Sequence, residues 1–88
     1  MTPSEILTLA KAACVTLPLA MLSAADDSTR WLAILTTAST LGDAVQKLGA
    51  NTDLRRDLRE RADTLAGDLR TIQSQSFAEQ ERLNRLAA

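Results

Sequence analysis

Apolar residues recur at alternating spacings of three and four along much of this sequence, and no other feature constrains the fold as strongly. One series runs through residues 31–48, and a second runs through residues 54–72. The positions are Trp31, Ile34, Ala38, Leu41, Val45 and Leu48, then Leu54, Leu58, Ala62, Leu65, Leu69 and Ile72. Such spacing gives an α-helix one apolar stripe that packs almost parallel to its neighbours. No alternating strand pattern competes with it, so the sequence predicts an all-α fold.

The first helix is predicted to span about residues 3–23. Thr2 can cap its start, Pro3 suits the first helical position, and Glu5 completes a capping box. Pro18 lacks a backbone donor, and its ring clashes with the preceding turn. We therefore predict either a kink near Pro18 or an end to the helix near Leu17.

The second helix is predicted over about residues 28–48. Asp27 or Ser28 can cap its start, and Gly49 can end it, because glycine readily adopts the left-handed conformation after a helix.

The third helix is predicted over about residues 52–86, with Asn51 or Thr52 as its cap. Ser76 followed by Glu79 is a second start signal, which leaves a short fourth helix as an alternative. We favour one continuous helix, because neither glycine nor proline occurs there. It would measure about 50 Å, against about 30 Å for the first two, so one end should project beyond the bundle.

These elements predict a single domain over residues 1–88, an antiparallel arrangement of three helices, or four if a helix starts near residue 76. A monomer of this size buries only about 60–65% of its chain surface. The first helix is apolar on most of its sides, and a helix of that kind must be covered on most sides. We therefore predict that the bundle is completed by a homo-oligomer, a dimer or higher, or by another protein.

The residues that most enzymes use are scarce. The sequence has no histidine and one cysteine, Cys14, so an intrachain disulfide, a cysteine-based zinc site and a histidine base are all excluded. Serine and threonine are plentiful, but only lysines could activate them. We predict no enzymatic activity, no catalytic residue, no metal and no cofactor.

The N-terminal segment has two interpretations. The apolar run from Ala12 to Leu22, preceded by Lys11 and followed by small residues, has features of a secretory signal. However, Glu5 neutralises the segment before the run, and Pro18 interrupts it. The run is also shorter than the roughly 20 residues that span a bilayer. We expect a cytoplasmic protein without a membrane partner.

Four arginines, Arg55, Arg56, Arg59 and Arg61, form the most prominent charge cluster. A phosphate-binding site is one interpretation, because the guanidinium group presents several donors. Acidic residues interleave with them, and the net charge of the whole chain is −1. Pairs such as Asp57 with Arg61 are well placed on a helix. We predict an ion-paired surface and no nucleic-acid partner.

The periodic stripes supply the candidate functional residues. We predict anchors of the core or of an interface at Trp31, Ile34, Leu41, Val45, Leu58, Leu65, Leu69 and Ile72. With no catalytic apparatus, they favour a helical binding and assembly protein that acts through protein–protein interaction and self-association.

A local pattern supports an alternative. The run Arg30-Trp31-Leu32-Ala33-Ile34, followed by Thr37 and Gly42, resembles the second helix of the helical hairpin in phage anti-defence sponge proteins. That resemblance implies sequestration of cyclic-nucleotide or ADP-ribose-type immune signals, at sites between subunits of an oligomer. Under this alternative alone, Arg30 and Thr37 would contact a cyclic nucleotide.

Overall fold

The computed structural model describes residues 1–87, and it consists of three helices that pack together. They are α1 (Pro3–Ala24), α2 (Ser28–Ala50) and α3 (Arg56–Ala87). The prediction of an all-helical fold is confirmed, and the described residues contain no strand. The bundle measures 48 × 19 × 18 Å. At 1.5 Å per residue, the 32 residues of α3 account for its whole length.

Helix α1 begins as its sequence indicates and continues past the proline. The Thr2 hydroxyl accepts a hydrogen bond of 3.2 Å from the Glu5 backbone N–H and donates one of 3.0 Å to the Glu5 carboxylate. Of the two alternatives predicted at Pro18, a kink or an end near Leu17, the end is wrong, because α1 runs through Pro18 to Ala24. Leu17 and Ala24 are both buried, so packing on each side of the exposed proline keeps the last turn on the bundle.

The connection between α1 and α2 is short. The Asp27 carboxylate accepts hydrogen bonds of 3.1 Å and 3.2 Å from the backbone N–H groups of Thr29 and Arg30. Asp27 is therefore the N-cap of α2, one of the two caps that the sequence indicates. Ala25, two residues before Asp27, has a positive φ of 47°.

The connection between α2 and α3 differs from the prediction. Helix α2 includes Gly49 and ends at Ala50, and Gly49 does not have a positive φ. The Asn51 backbone N–H donates to the Leu48 carbonyl at 3.1 Å, while the Asn51 side chain accepts from the Asp53 N–H at 3.0 Å. Asn51 thus closes α2 and holds a turn. For this reason α3 begins at Arg56 rather than near residue 52.

Helix α3 runs without interruption through the second start signal. Ser76 is fully buried, and its hydroxyl donates 2.8 Å to the Ile72 carbonyl one turn back. A serine bonded in this way is in a helix interior and does not cap a new helix. Residues 76–87 therefore belong to α3, and Ala88 lies outside the described residues.

The core lies where the three helices meet. Its fully buried large side chains are Leu7 of α1, Val45 of α2 and Leu69 of α3, together with the hydroxyl-bearing Ser76. Small residues fill the spaces between them, namely Ala10, Ala13, Ala38, Ala62 and Ala66. Alanine at these positions lets the helices approach closely, so a thin bundle can still bury its largest side chains.

Candidate interaction surfaces

The predicted anchors lie in the chain's own core. Five are buried, namely Trp31, Ile34, Val45, Leu69 and Ile72. The other three, Leu41, Leu58 and Leu65, are half-buried and pack against that core. A buried side chain has little surface left for a partner, so the five buried residues stabilise the chain's own fold. The three half-buried residues keep part of their surface exposed.

Exposed large apolar side chains are most numerous on α1. Leu9, Val15, Leu19 and Leu22 are between 45% and 85% exposed, and they form what we call the α1 outer face. Their spacing along α1 places Val15, Leu19 and Leu22 on the side turned away from α2 and α3, with Leu9 at the edge of that side. No charged residue occurs between Ala12 and Ser23. This face is therefore both apolar and uncharged over the second half of the helix.

Helix α1 also has the length and composition of a membrane-spanning helix. It is 22 residues long, and 22% of its most apolar stretch is buried in the bundle. Core helices of soluble proteins and N-terminal signal sequences share this composition, so it is weak evidence for a membrane. It does show how little of α1 the other two helices cover.

A second surface is the groove between α2 and α3, which we call the α2/α3 groove. It has a volume of about 510 Å³ and is lined by Leu35, Gly42, Asp43, Gln46, Arg70, Gln73, Ser74 and Phe77. None of these residues belongs to α1. The Phe77 ring is 55% exposed, and the Arg70 guanidinium donates to the side-chain carbonyl of Gln46. The groove combines an acid, a base, two amides and exposed apolar side chains.

A third groove lies between α1 and α3, and it contains the single thiol. It has a volume of about 590 Å³ and is lined by Lys11, Cys14, Val15, Asp57, Glu60, Arg61, Thr64, Leu65 and Asp68. Burial, followed by the nearby Asp68 carboxylate, raises the pKa of the Cys14 thiol. A reactive cysteine needs the opposite shift, so this thiol is a poor nucleophile at neutral pH. Within residues 1–87, no three cysteine or acidic side chains converge as metal ligands.

The two residues of the sponge alternative lie on the same side of α2, two turns apart. The Arg30 guanidinium lies 3.4 Å from the Asp27 carboxylate and donates 3.2 Å to the Ser23 carbonyl. It borders a small cavity of about 290 Å³, whose other lining residues are Ala20, Ser23, Ala33 and Ile34. Thr37 is exposed two turns farther along α2, about 10 Å away at 1.5 Å per residue. Arg30 is already occupied by contacts at the start of its own helix.

The arginine cluster is ion-paired in part. Arg56 contacts Glu60 at 3.0 Å, as the helical spacing predicts, and Arg55 contacts Asp57 at 3.4 Å. Asp57 therefore pairs with Arg55 instead of Arg61, which takes part in no ion pair among residues 1–87. Arg55 precedes α3, so helical spacing did not predict its contact.

Sequence reasoning missed a contact that fastens the end of α3. Arg82 donates 2.8 Å to the Glu79 carboxylate and 3.3 Å to the Asp26 carboxylate at the start of α2. The hydrogen bond that Arg82 donates to Glu79, followed by the one it donates to Asp26, raises the pKa of the Arg82 guanidinium. The Glu79 pair follows helical spacing, whereas the Asp26 contact depends on how the helices align. Sequence reasoning also missed the α2/α3 groove, because Phe77 lies outside the periodic apolar stripe.

Comparison of the chain with protein-family models, with curated proteins and with solved structures found no match in any of the three.

Proposed function

We propose that this chain is a non-enzymatic helical binding and assembly protein that associates with itself, as a dimer or a larger homo-oligomer. The observation that carries the proposal is the α1 outer face. Four large apolar side chains at helical spacing remain in water there, and no charged residue breaks up the second half of that surface. A contiguous apolar surface of this kind is typical of a protein–protein interface.

The energetic argument concerns what a partner would cover. Fully burying a leucine or valine side chain stabilises an assembly by about 1.5–3 kcal/mol. The four side chains of the α1 outer face are only partly exposed, so each would contribute less than that. Together they supply enough apolar surface for the central part of an interface. A second copy of the chain, or another protein, would complete the cover that α2 and α3 leave open.

The proposal includes an antiparallel arrangement of neighbouring helices. Asp26, just before α2, contacts Arg82 near the end of α3, while Gln46 near the end of α2 contacts Arg70 in the first half of α3. Opposite directions for α2 and α3 account for both contacts. We propose a cytoplasmic location, because the charged faces of α2 and α3 suit an aqueous environment.

The test of self-association is the mass of the protein in solution. We expect light scattering after chromatography to give a dimer or larger species at micromolar concentration. Leu19→Gln with Leu22→Gln should reduce that mass, because two polar amides replace the apolar side chains. Thr71→Gln, at an exposed position of α3, is the matched control and should leave the mass unchanged. A wild-type protein that stays monomeric at 100 μM, on the order of the upper range for specific weak binding, would overturn the proposed self-association.

Two further readings of the same sample address other functions. Retention of an ultraviolet-absorbing small molecule, identified by mass spectrometry, would favour sequestration of a nucleotide. Co-flotation of the monomeric protein with lipid vesicles would assign the α1 outer face to a membrane instead of a second chain.

A further inference from the structure

We propose that the α2/α3 groove is a two-fold interface between two copies of this chain, in which Arg70 of each copy faces Asp43 of the other. This inference rests on the proposed self-association and names a second surface, on the side of α2 and α3 away from α1. Its basis is that the two walls of the groove carry complementary groups at matching levels.

The first match is of charge. Asp43 on α2 and Arg70 on α3 both line the groove, and among residues 1–87 neither takes part in an ion pair. Arg70 donates only to the neutral side chain of Gln46. Gly42 of α2 faces Leu69 of α3, because a Cβ added at Gly42 would lie 3.7 Å from the Leu69 Cβ. Asp43 directly follows Gly42, and Arg70 directly follows Leu69. Asp43 and Arg70 therefore lie on opposite walls within about 3 Å of the same level, because each is one residue of 1.5 Å rise from the facing pair.

The second match is apolar. Leu35 precedes Asp43 by eight residues, and Phe77 follows Arg70 by seven. These separations correspond to about 12 Å and about 10 Å along their helices. With α2 and α3 in opposite directions, both displacements point the same way. Leu35 and the half-exposed Phe77 ring therefore also face one another, one level farther along the groove.

A two-fold axis running along the groove, parallel to the helices, uses both matches together. Such a rotation places α2 of one copy opposite α3 of the other and leaves the level unchanged. Asp43 then meets Arg70 twice, and Leu35 meets Phe77 twice, as an isologous contact requires. An axis across the groove would instead place Asp43 against Asp43. The resulting assembly is a four-helix arrangement of the two α2/α3 pairs, with α1 on the outside of each.

The α1 outer face of another copy is a poorer occupant of this groove. It has no charged side chain between Ala12 and Ser23, so it would cover Asp43 and Arg70 without offering either of them a group to pair with. Removing charges from water without new partners is unfavourable. A second groove offers each of the two residues a counter-charge from the other copy.

The test uses charge reversal and its repair in the full chain. Asp43→Arg and Arg70→Asp each replace two attractions with two repulsions, and we expect each to raise the dimer dissociation constant by at least about tenfold at low salt. The double variant that exchanges the two charges should return to within about threefold of wild type. Both residues are exposed, so circular dichroism should show unchanged helicity.

Mixing the two single variants gives the sharpest prediction. Asp43→Arg carries two positive groups in the groove, and Arg70→Asp carries two negative groups, so the mixed pair satisfies every contact that each variant alone cannot. In the Leu19→Gln, Leu22→Gln background we expect a heterodimer from an equimolar mixture and little association of either variant alone, whereas the wild-type background keeps association through the α1 outer face. Sedimentation velocity with one variant labelled measures this, in the wild-type and the Leu19→Gln, Leu22→Gln backgrounds. The second background removes association through the α1 outer face.

The outcomes separate this interface from the proposed function. Repair by the double exchange and by mixing supports the two-fold groove interface. Self-association that the charge reversals leave unchanged, but that the Leu19→Gln, Leu22→Gln variant abolishes, overturns the groove interface and leaves the proposed function intact. A wild-type chain that remains monomeric overturns both.

Discussion

The indole N–H of Trp31 donates a hydrogen bond of 2.8 Å to the backbone carbonyl of Ala25. Trp31 lies in the first turn of α2, and Ala25 lies directly after α1. The hydrogen bond therefore fastens the second helix to the end of the first. It also supplies the partner that a buried indole requires, which lets the ring serve as a core residue at 6% exposure.

This pairing predicts a large effect of truncating Trp31. Trp31→Ala removes the ring and the hydrogen bond, and we expect a loss of about 3–5 kcal/mol in the free energy of unfolding. Trp31→Phe keeps part of the packing and should cost about half as much. Chemical denaturation at one fixed protein concentration measures both. The wild-type fluorescence should be blue-shifted and poorly quenched by iodide, whereas emission like that of tryptophan in water would contradict burial.

Ala25 itself predicts a stabilising substitution. Its φ of 47° with ψ of −119° lies in a region that L-residues with a Cβ rarely adopt. Ala25→Gly relieves that strain. Glycine also raises the conformational entropy of the unfolded chain, but this destabilises the fold by less than the relief of strain stabilises it. We expect a gain of about 0.5–1 kcal/mol, measured by thermal denaturation. Ala33→Gly, at an exposed position inside α2, is the control and should instead lose about 1 kcal/mol. A loss of stability in the Ala25→Gly variant would show that the backbone at Ala25 is not strained.

The fold was predictable where one local signal decided the structure. Thr2 and Asp27 are both N-caps; the sequence identified Thr2, and it left Asp27 and Ser28 as the two candidates for the second helix. Asn51 was proposed as a cap of α3, but its side chain holds the turn before that helix. An asparagine in a turn and an asparagine at an N-cap look the same in sequence. The sequence left a kink or an end open at Pro18. The end did not occur because burial of Leu17 and Ala24 outweighed the lost hydrogen bond, and burial depends on the other helices.

The candidate surfaces were less predictable than the helices. The apolar stripes identified the core but could not tell a core residue from an interface residue, because both have the same spacing. The surfaces that remain exposed depend on which sides of α1 and α3 are covered. Phe77 lies one residue beyond the buried Ser76, and only the packed structure shows that its ring faces the α2/α3 groove.

Two glycines inside helices predict opposite responses to alanine. A Cβ at Gly67 would meet nothing within 4 Å, so Gly67→Ala should stabilise α3 by about 0.5–1 kcal/mol. A Cβ at Gly49 would collide with the Asp63 carboxylate, so the same gain should be absent there. Thermal denaturation of both variants measures the difference. Adding Asp63→Ala should restore the gain at Gly49, and failure to restore it would exclude the collision as the cause.

The Cys14 thiol predicts a pH dependence of alkylation. Its raised pKa leaves a smaller thiolate fraction at a given pH, so the folded protein should react with iodoacetamide more slowly than the urea-unfolded chain. Asp68→Asn removes the smaller cause, and the midpoint of the pH–rate profile should move to lower pH. The midpoint of this variant should stay above the midpoint of the unfolded chain, because burial is the larger cause of the raised pKa. Asp57→Asn, in the same groove, is the control and should leave the midpoint unchanged.

The arginine cluster predicts weak binding to nucleic acid. Arg55 and Arg56 each contact a carboxylate, so a phosphate would have to displace Asp57 or Glu60. The chain as a whole carries a charge of −1 and supplies no field to offset that competition.

We therefore expect a dissociation constant weaker than about 10 μM at physiological salt, within the usual non-specific range. Fluorescence anisotropy with a labelled duplex and a labelled single strand, across a salt series, measures it. A binder that contacts several phosphates loses affinity steeply as salt rises, with a slope of about −0.9 per contact on duplex DNA. Tight, salt-sensitive binding that is lost when Arg55 and Arg59 become alanine would show that the carboxylates yield to phosphate. The cluster would then be a nucleic-acid site. In that case a polyanion that engages several arginines together would have displaced the local ion pairs, each of which contributes only about 0.2–1 kcal/mol.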